Sequence, residues 1–264
     1  MSSCEERAAR GRAYSPSLWA RDFEATLDRQ AERGACLRAR HQPRRLAYGT
    51  HALEGLNLFL PENQGPWPLM IFLHGGYWQQ LDAMATDFMA ASWLSRGWAF
   101  ASLDYPLAPE VNVETMIAAC QQGVRHLQRE ACTLGLNGRI YLGGHSAGAQ
   151  LAIMSCLGDG RLAGIDALWL ISGIYDLRPL AGTYIDEPLQ LDGAQAERLS
   201  PLCHDLQGLP PLMLVHGEFD PPSFRSQGEA LYERALATGV VAKLCPLPNC
   251  DHFDILERLE ALPF

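Results

Sequence analysis

The 264-residue chain has a single lysine, Lys243, and a formal net charge of −9, from 21 basic and 30 acidic residues. Phosphate recognition needs clustered Lys and Arg, so this balance argues against nucleic acid as a partner. The densest group of arginines, within 38–45, lies in a polar stretch and reads as a solvated connection. No run of about 18 apolar residues occurs, so no membrane span is expected. The longest apolar runs, such as 68–73, are the size of a strand. The first twelve residues are charged and lack the apolar centre of a signal peptide. The eight cysteines form no C-x-x-C pair and no Cys/His spacing suited to zinc. They read as reduced thiols in a cytoplasmic protein, with no metal and no cofactor implied.

What is present points to a globular enzyme. A hydrophobic share of 48% with 19% charged residues is enough to bury a core and excludes disorder of the whole chain. The length suits one α/β domain over 1–264, with an N-terminal helical segment over 1–42. Pro16 after Ser15 marks a helix start within that segment. Short strands are expected at 46–48 and 56–60, followed by the continuous apolar run Leu69-Met70-Ile71-Phe72-Leu73. Such a run suits a strand covered on both faces of a parallel sheet. Helices over 83–95, 113–134, from 147 onward and 224–237 alternate with strands at 98–103, 139–142, 167–171, 212–215 and 240–244, and a last helix is expected over 255–262. This alternation predicts βαβ units around a mainly parallel sheet, with the two early strands as an antiparallel edge. Residues 176–211 separate two strands by more than one helix requires. They read as a lid-like insertion, with a surface excursion carrying one extra helix as the alternative.

The chemistry is carried by Gly144-His145-Ser146-Ala147-Gly148, between an expected strand and an expected helix. A G-x-S-x-G serine on such a turn projects its hydroxyl above the sheet, which makes Ser146 the candidate nucleophile. The glycine-rich His74-Gly75-Gly76-Tyr77-Trp78 follows the buried strand. Its backbone N–H groups at Gly76 and Tyr77, with that of Ala147, are candidate oxyanion donors. His74 reads as a residue that orients this loop. A serine needs a base, and the order serine, acid, histidine selects His252 and Asp220. Glu218 and Asp176 are rival acids, and Asp251 reads as a solvated turn residue. Trp78, Tyr105, Tyr175 and Phe219 are candidates for an apolar substrate pocket, in company with Tyr77 and Phe253.

Together these residues resemble the α/β-hydrolase superfamily and, within it, the kynurenine formamidase (arylformamidase) family. The resemblance rests on Tyr14-Ser15-Pro16-Ser17-Leu18-Trp19, Leu46-Ala47-Tyr48-Gly49, Leu56 to Pro61, His74 to Gln79, Gly144 to Leu151, Ser172 to Leu177 and Ser223 to Gln227. It implies an α/β-hydrolase fold and a serine hydrolase that deformylates an aryl formamide such as N-formyl-L-kynurenine. A carboxylesterase or thioesterase acting on short acyl or aryl esters is the alternative. A ligand-binding protein without turnover is a third reading, disfavoured because all three triad residues are present in order. No arginine stands out as a carboxylate clamp, Arg178 and Arg225 being the candidates. The partner implied is a small-molecule substrate, and apolar residues near the N-terminal helix allow a homodimer. Tryptophan catabolism and a specialised biosynthetic deformylation both fit.

Overall fold

The computed structural model describes residues 3–259, with side chains from residue 5 onward. The chain opens with α1 (Ser3–Ala13), a 3-10 turn (Pro16–Leu18) and α2 (Phe23–His41), which the Asp22 side chain caps by accepting the Ala25 N–H at 3.1 Å. Then come β1 (Arg44–Ala47), β2 (Gly55–Phe59), β3 (Trp67–Leu73), α3 (Ala90–Ser95), β4 (Ala99–Leu103), α4 (Val113–Arg129), α5 (Ala131–Leu134) and β5 (Leu136–His145). The second half adds α6 (Ala147–Met154), β6 (Ala167–Ile171), α7 (Gly193–Arg198), β7 (Leu212–Gly217), α8 (Pro222–Ala237) and β8 (Ala242–Leu247). The eight strands form one sheet in the order β1-β2-β4-β3-β5-β6-β7-β8. β1 and β2 run antiparallel to their neighbours, and every pairing from β4 to β8 is parallel.

The expected α/β architecture and its antiparallel edge are therefore present. The centre of the sheet forms where the sequence is uniformly apolar. Leu69, Met70, Ile71, Phe72 and Leu73 of β3 are all buried, because helices cover both faces of the sheet. α4 shows the complementary pattern. Val113, Met116, Cys120, Val124 and Leu127 recur at helical spacing and are buried, while Asn112 caps its start by accepting the Thr115 N–H at 2.9 Å.

Several boundaries differ from expectation, each for a local reason. Residues 83–95 form two 3-10 turns (Ala83–Ala85 and Asp87–Met89) before α3 rather than one helix. The backbone there is drawn inward because the buried Asp87 carboxylate accepts from Arg38 at 3.0 Å and from Asn57 at 2.9 Å. The 113–134 helix breaks at Glu130 and ends at Gly135, whose φ is 75°. β8 starts two residues late because Val240 N–H still closes α8 on the Ala235 carbonyl. Past residue 254 there is a 3-10 turn (Asp254–Glu257) in place of the expected start of a helix; residues 260–262 of that helix lie outside the described residues. The arginine-rich 38–45 stretch is not merely solvated. Arg38 pairs with Asp87, which ties α2 to the 3-10 turn at 87–89, and Arg45 of β1 pairs at 2.5 Å with Asp104, just past β4.

Residues 176–211 are anchored rather than trailing in solvent. Leu180, Ile185, Leu189, Leu199 and Leu206 join the main core, and α7 carries a capping box between Asp192 and Gln195. Among the described residues, no helix is long and apolar enough to cross a membrane. Ile71, fully buried between Ala101 of β4 and Leu142 of β5, tests this packing. Ile71→Ala is expected to cost roughly 2–5 kcal/mol in urea unfolding. A loss below about 1 kcal/mol would show that this strand is not the sheet's rigid centre.

Candidate active site

The residues selected from the sequence sit at the carboxyl ends of parallel strands: His74 after β3, Ser146 after β5, Asp220 after β7 and His252 after β8. Open α/β sheets place their ligand crevices at this edge. A cavity of about 370 Å³ lies here, lined by Ser146, His252, His145 and the 74–77 loop.

The turn at Ser146 is strained. Its φ of 56° and ψ of −119° lie outside the ordinary regions for an L-residue, and its N–H is held by the Ile171 carbonyl of β6 at 2.9 Å. Both flanking glycines are required by contact. A Cβ on Gly148 would sit 2.2 Å from the Leu73 carbonyl oxygen, and one on Gly144 would sit 2.2 Å from the Gly148 carbonyl oxygen. These are backbone atoms with no side chain to swing aside. α6 starts directly after the serine, so the Ala147 N–H is the first of a helix.

The 74–78 loop is strained in a complementary way. Gly76, Tyr77 and Trp78 have φ of 97°, 52° and 62°, three consecutive left-handed residues. The N–H groups of Gly76, Tyr77 and Ala147 find no acceptor among the described residues. Side chains beneath the loop fix it. The Tyr105 hydroxyl donates to the His74 carbonyl at 2.8 Å and its ring stacks on His74 with centroids 4.3 Å apart. His74 Nδ1 donates to the Gly75 carbonyl at 2.8 Å, and burial pushes its pKa down, so the ring is neutral. The Trp78 indole donates to Gln150 at 3.0 Å, and the Tyr77 hydroxyl donates to the Tyr14 carbonyl.

Asp220 and His252 meet. His252 Nδ1 donates to Asp220 Oδ1 at 2.6 Å, which leaves Nε2 as the free ring nitrogen. Asp220 Oδ2 accepts from the Ser172 hydroxyl at 2.6 Å and from the Gly217 N–H at 2.8 Å. Burial alone would raise this carboxyl. The adjacent His252 and these hydrogen bonds outweigh burial and hold it below the usual carboxylate range. Ser172 is the third member of this network, and nothing in its local sequence marks that role. Its φ of 47° at the end of β6 aims it here, a signal that only the fold reveals.

The rival groups are engaged elsewhere. Glu218 accepts the Asn249 N–H at 2.9 Å, and Asp176 pairs with Arg178 at 2.8 Å. Asp251 is a correction: it is buried rather than solvated, and accepts from the N–H groups of Arg21, Phe253 and Asp254. The four candidate pocket aromatics are a second correction, because none lines the cavity. Trp78, Tyr105 and Tyr175 point down into the core and are fully buried, and Phe219 lies on the surface beneath the Arg21 guanidinium at 4.8 Å. Nor do Arg178 and Arg225 line it. The walls come from Tyr77 and Phe253, the other two of the expected aromatic cluster, with Phe23, Leu27 and Gln30 of α2, Ser15 to Ser17 before it, and Tyr184 and Ile185 of the 176–211 segment. No local pattern marked Phe23, Leu27, Gln30, Tyr184 or Ile185, because their role depends on where distant segments dock.

The Asp220 carboxyl yields a pH test. Its folded pKa lies below its unfolded value, so its stabilising contribution is complete above about pH 4 and fades as pH falls through the folded value. The Tm advantage of wild type over Asp220→Asn is expected to hold near neutral pH and shrink below about pH 4. An advantage that grows on acidification would contradict the charge network.

Known proteins resemble this chain in sequence and in fold. The BD-FAE family profile matches residues 56–167. A kynurenine formamidase from Salmo salar is 34% identical over 94% of this chain and 90% of its own. One from Danio rerio is 32% identical over 93% of this chain and 89% of its own. Among solved structures, a Silicibacter protein of proposed thioesterase activity superimposes with a TM-score of 0.83 at 28% identity, covering 94% of both chains. An esterase from Pyrobaculum calidifontis shares the fold alone, with a TM-score of 0.73 at 19% identity over 92% of this chain and 88% of its own. With this identity over nearly its whole length, the chain belongs to the kynurenine formamidase family, a group of hydrolases built on the α/β-hydrolase fold.

Proposed function

We propose that the protein removes the formyl group from an aryl formamide such as N-formyl-L-kynurenine, releasing kynurenine and formate. The observation that carries this reading is the Asp220–His252 pair, which brings the imidazole to the wall of the same cavity as Ser146. Kinship with the kynurenine formamidases supplies the substrate class.

In this mechanism Ser146 Oγ attacks the formyl carbon as His252 Nε2 takes its proton. Asp220 holds the Nδ1–H tautomer and stabilises the imidazolium. Charge develops on the formyl oxygen, where the unpaired N–H groups of Gly76, Tyr77 and Ala147 receive it; losing one such donor costs roughly 3 kcal/mol of barrier. The tetrahedral intermediate collapses as the imidazolium protonates the departing aryl amine. Water, deprotonated by His252, then attacks the formyl ester and Ser146 leaves as the hydroxyl. An aryl amine leaves more readily than an alkyl amine, which suits this sequence of steps. The reaction needs no cofactor.

The cavity wall contains no Lys, Arg, Asp or Glu among the described residues. An amino-acid tail on the substrate therefore extends toward the mouth while the aryl formamide occupies the interior. The same neutral wall suits the second reading, a carboxylesterase or thioesterase acting on short acyl or aryl esters. We read the 176–211 segment as a lid, since Tyr184 and Ile185 lie on the cavity wall. A cytoplasmic protein that acts on a small molecule, without nucleic acid, and that can pair as a homodimer completes the proposal.

Formate release from N-formyl-L-kynurenine, measured beside hydrolysis of p-nitrophenyl acetate, separates the two substrates. The formamide is expected to lead in kcat/KM by about two orders of magnitude or more, and Ser146→Ala to lose at least about 10³-fold on both. Turnover of the ester alone would leave the second reading. Near-normal rates in the alanine variant would remove both.

A further inference from the structure

His145 occupies the variable position of the elbow and takes no part in the steps above. Its ring is buried, lines the cavity beside Ser146 and His252, and packs on the His252 ring with centroids 4.6 Å apart. Its Nε2 lies 2.8 Å from the backbone carbonyl of His252. A carbonyl only accepts, so Nε2 carries the proton and donates. Nδ1 faces Gly75, where an added Cβ would meet it at 3.1 Å, so the ring is confined on that side too. Burial, with the neighbouring His252 adding to it, pushes His145 down to about 3. The ring is therefore neutral throughout the neutral range and does not compete for the serine proton.

The loop that carries His252 is held from several sides. Asp251 accepts its N–H groups at Phe253 and Asp254, and Gln30 of α2 donates to the Phe253 carbonyl at 2.9 Å. These bonds fix the loop to itself and to the N-terminal helix. The His145 bond differs in origin, because it starts at the residue directly before Ser146.

We propose that His145 is a positioning residue: its Nε2–H, donated to the His252 carbonyl, ties the strand end that presents Ser146 to the loop that presents the base. It thereby sets the separation of the two reacting groups. The inference rests on reading Ser146 and His252 as nucleophile and base. Through this bond, a shift of the loop is resisted at the elbow itself, where the backbone has no slack. Proton transfer from Oγ to Nε2 depends steeply on that separation, whereas filling of the cavity by substrate does not.

The test compares His145→Leu, which fills similar space but donates nothing, with His145→Gln, whose amide nitrogen reaches the position of Nε2. Folding is checked by circular dichroism and thermal melting, and rates are measured on N-formyl-L-kynurenine and p-nitrophenyl acetate, with Ser146→Ala in parallel. In the leucine variant kcat is expected to fall roughly 10- to 100-fold on whichever substrates the wild type turns over, with KM within about twofold. The glutamine variant is expected to recover to within about fivefold of wild type. Should the leucine variant fail to fold, His145→Asn, polar but too short to reach the carbonyl, is expected to show the same loss. Wild-type kcat in the leucine or asparagine variant, with Ser146→Ala inactive, would overturn the positioning role and leave the nucleophile assignment standing. Folded glutamine and leucine variants that are equally impaired would overturn it as well. Activity retained by Ser146→Ala would instead overturn the reading on which it rests.

Discussion

The site depends on the first turn of α6 approaching the ends of β3 and β5 so closely that no side chain fits between them. Gly148 lies against the Leu73 and His74 carbonyls, and Gly144 lies against Gly148. This contact lets the chain reverse from β5 into α6 within one residue, at the cost of a left-handed Ser146. Strain of this kind persists only where the surroundings are rigid. Here they are the buried centres of β3 and β5, paired along their length and covered on both faces. Because Gly148 abuts the end of β3, the same contact delivers the 74–78 loop beside the serine. Proximity of elbow and oxyanion loop is thus one packing event.

The rest of the cavity is assembled from segments far apart in sequence. α2 and the preceding turn form one wall, and Tyr184 and Ile185 form another. The Ser15–Tyr184 hydroxyl pair at 2.6 Å joins these two walls, and Gln79, just past the 74–78 loop, donates to the Ile185 carbonyl at 2.7 Å. The Tyr77 hydroxyl reaches the Tyr14 carbonyl, so the N-terminal segment also bears on the loop with the free N–H groups. A wall of neutral polar and apolar groups keeps water sparse and charge interactions strong at the serine. It also leaves the reacting end of the substrate, rather than a distant charge, as what the interior can read.

The sequence made much of this frame legible because each feature had a local physical cause. β3 was readable because a strand covered on both faces must be apolar throughout. The elbow was readable because two glycines bracketed a serine between a strand and a helix. Asp220 and His252 were readable because each follows a strand in the order that this topology imposes. The misreadings were of another kind. Trp78, Tyr105 and Tyr175 looked like a mouth, yet the Trp78 indole and the Tyr105 hydroxyl hold the 74–78 loop from below, and the Tyr175 hydroxyl lies against Gly173. Aromatic residues near strand ends face either way, and only the docking of neighbours decides. Arg38 and Arg45 looked solvated because their carboxylate partners, Asp87 and Asp104, are about fifty to sixty positions away. The wall supplied by Phe23, Leu27 and Gln30 left no local trace, because α2 packs against the 3-10 turns before α3 and nothing in its own sequence names what its face meets.

In the proposed reaction the backbone-built elbow makes Ser146 the nucleophile. The most direct test of this role is to titrate the protein with a fluorophosphonate, map the adduct by peptide mass spectrometry and follow residual turnover in the same samples. The account predicts one adduct, on Ser146, with turnover falling in proportion to labelling. Full labelling of Ser146 with turnover intact, or inactivation with the adduct on another residue, would contradict it.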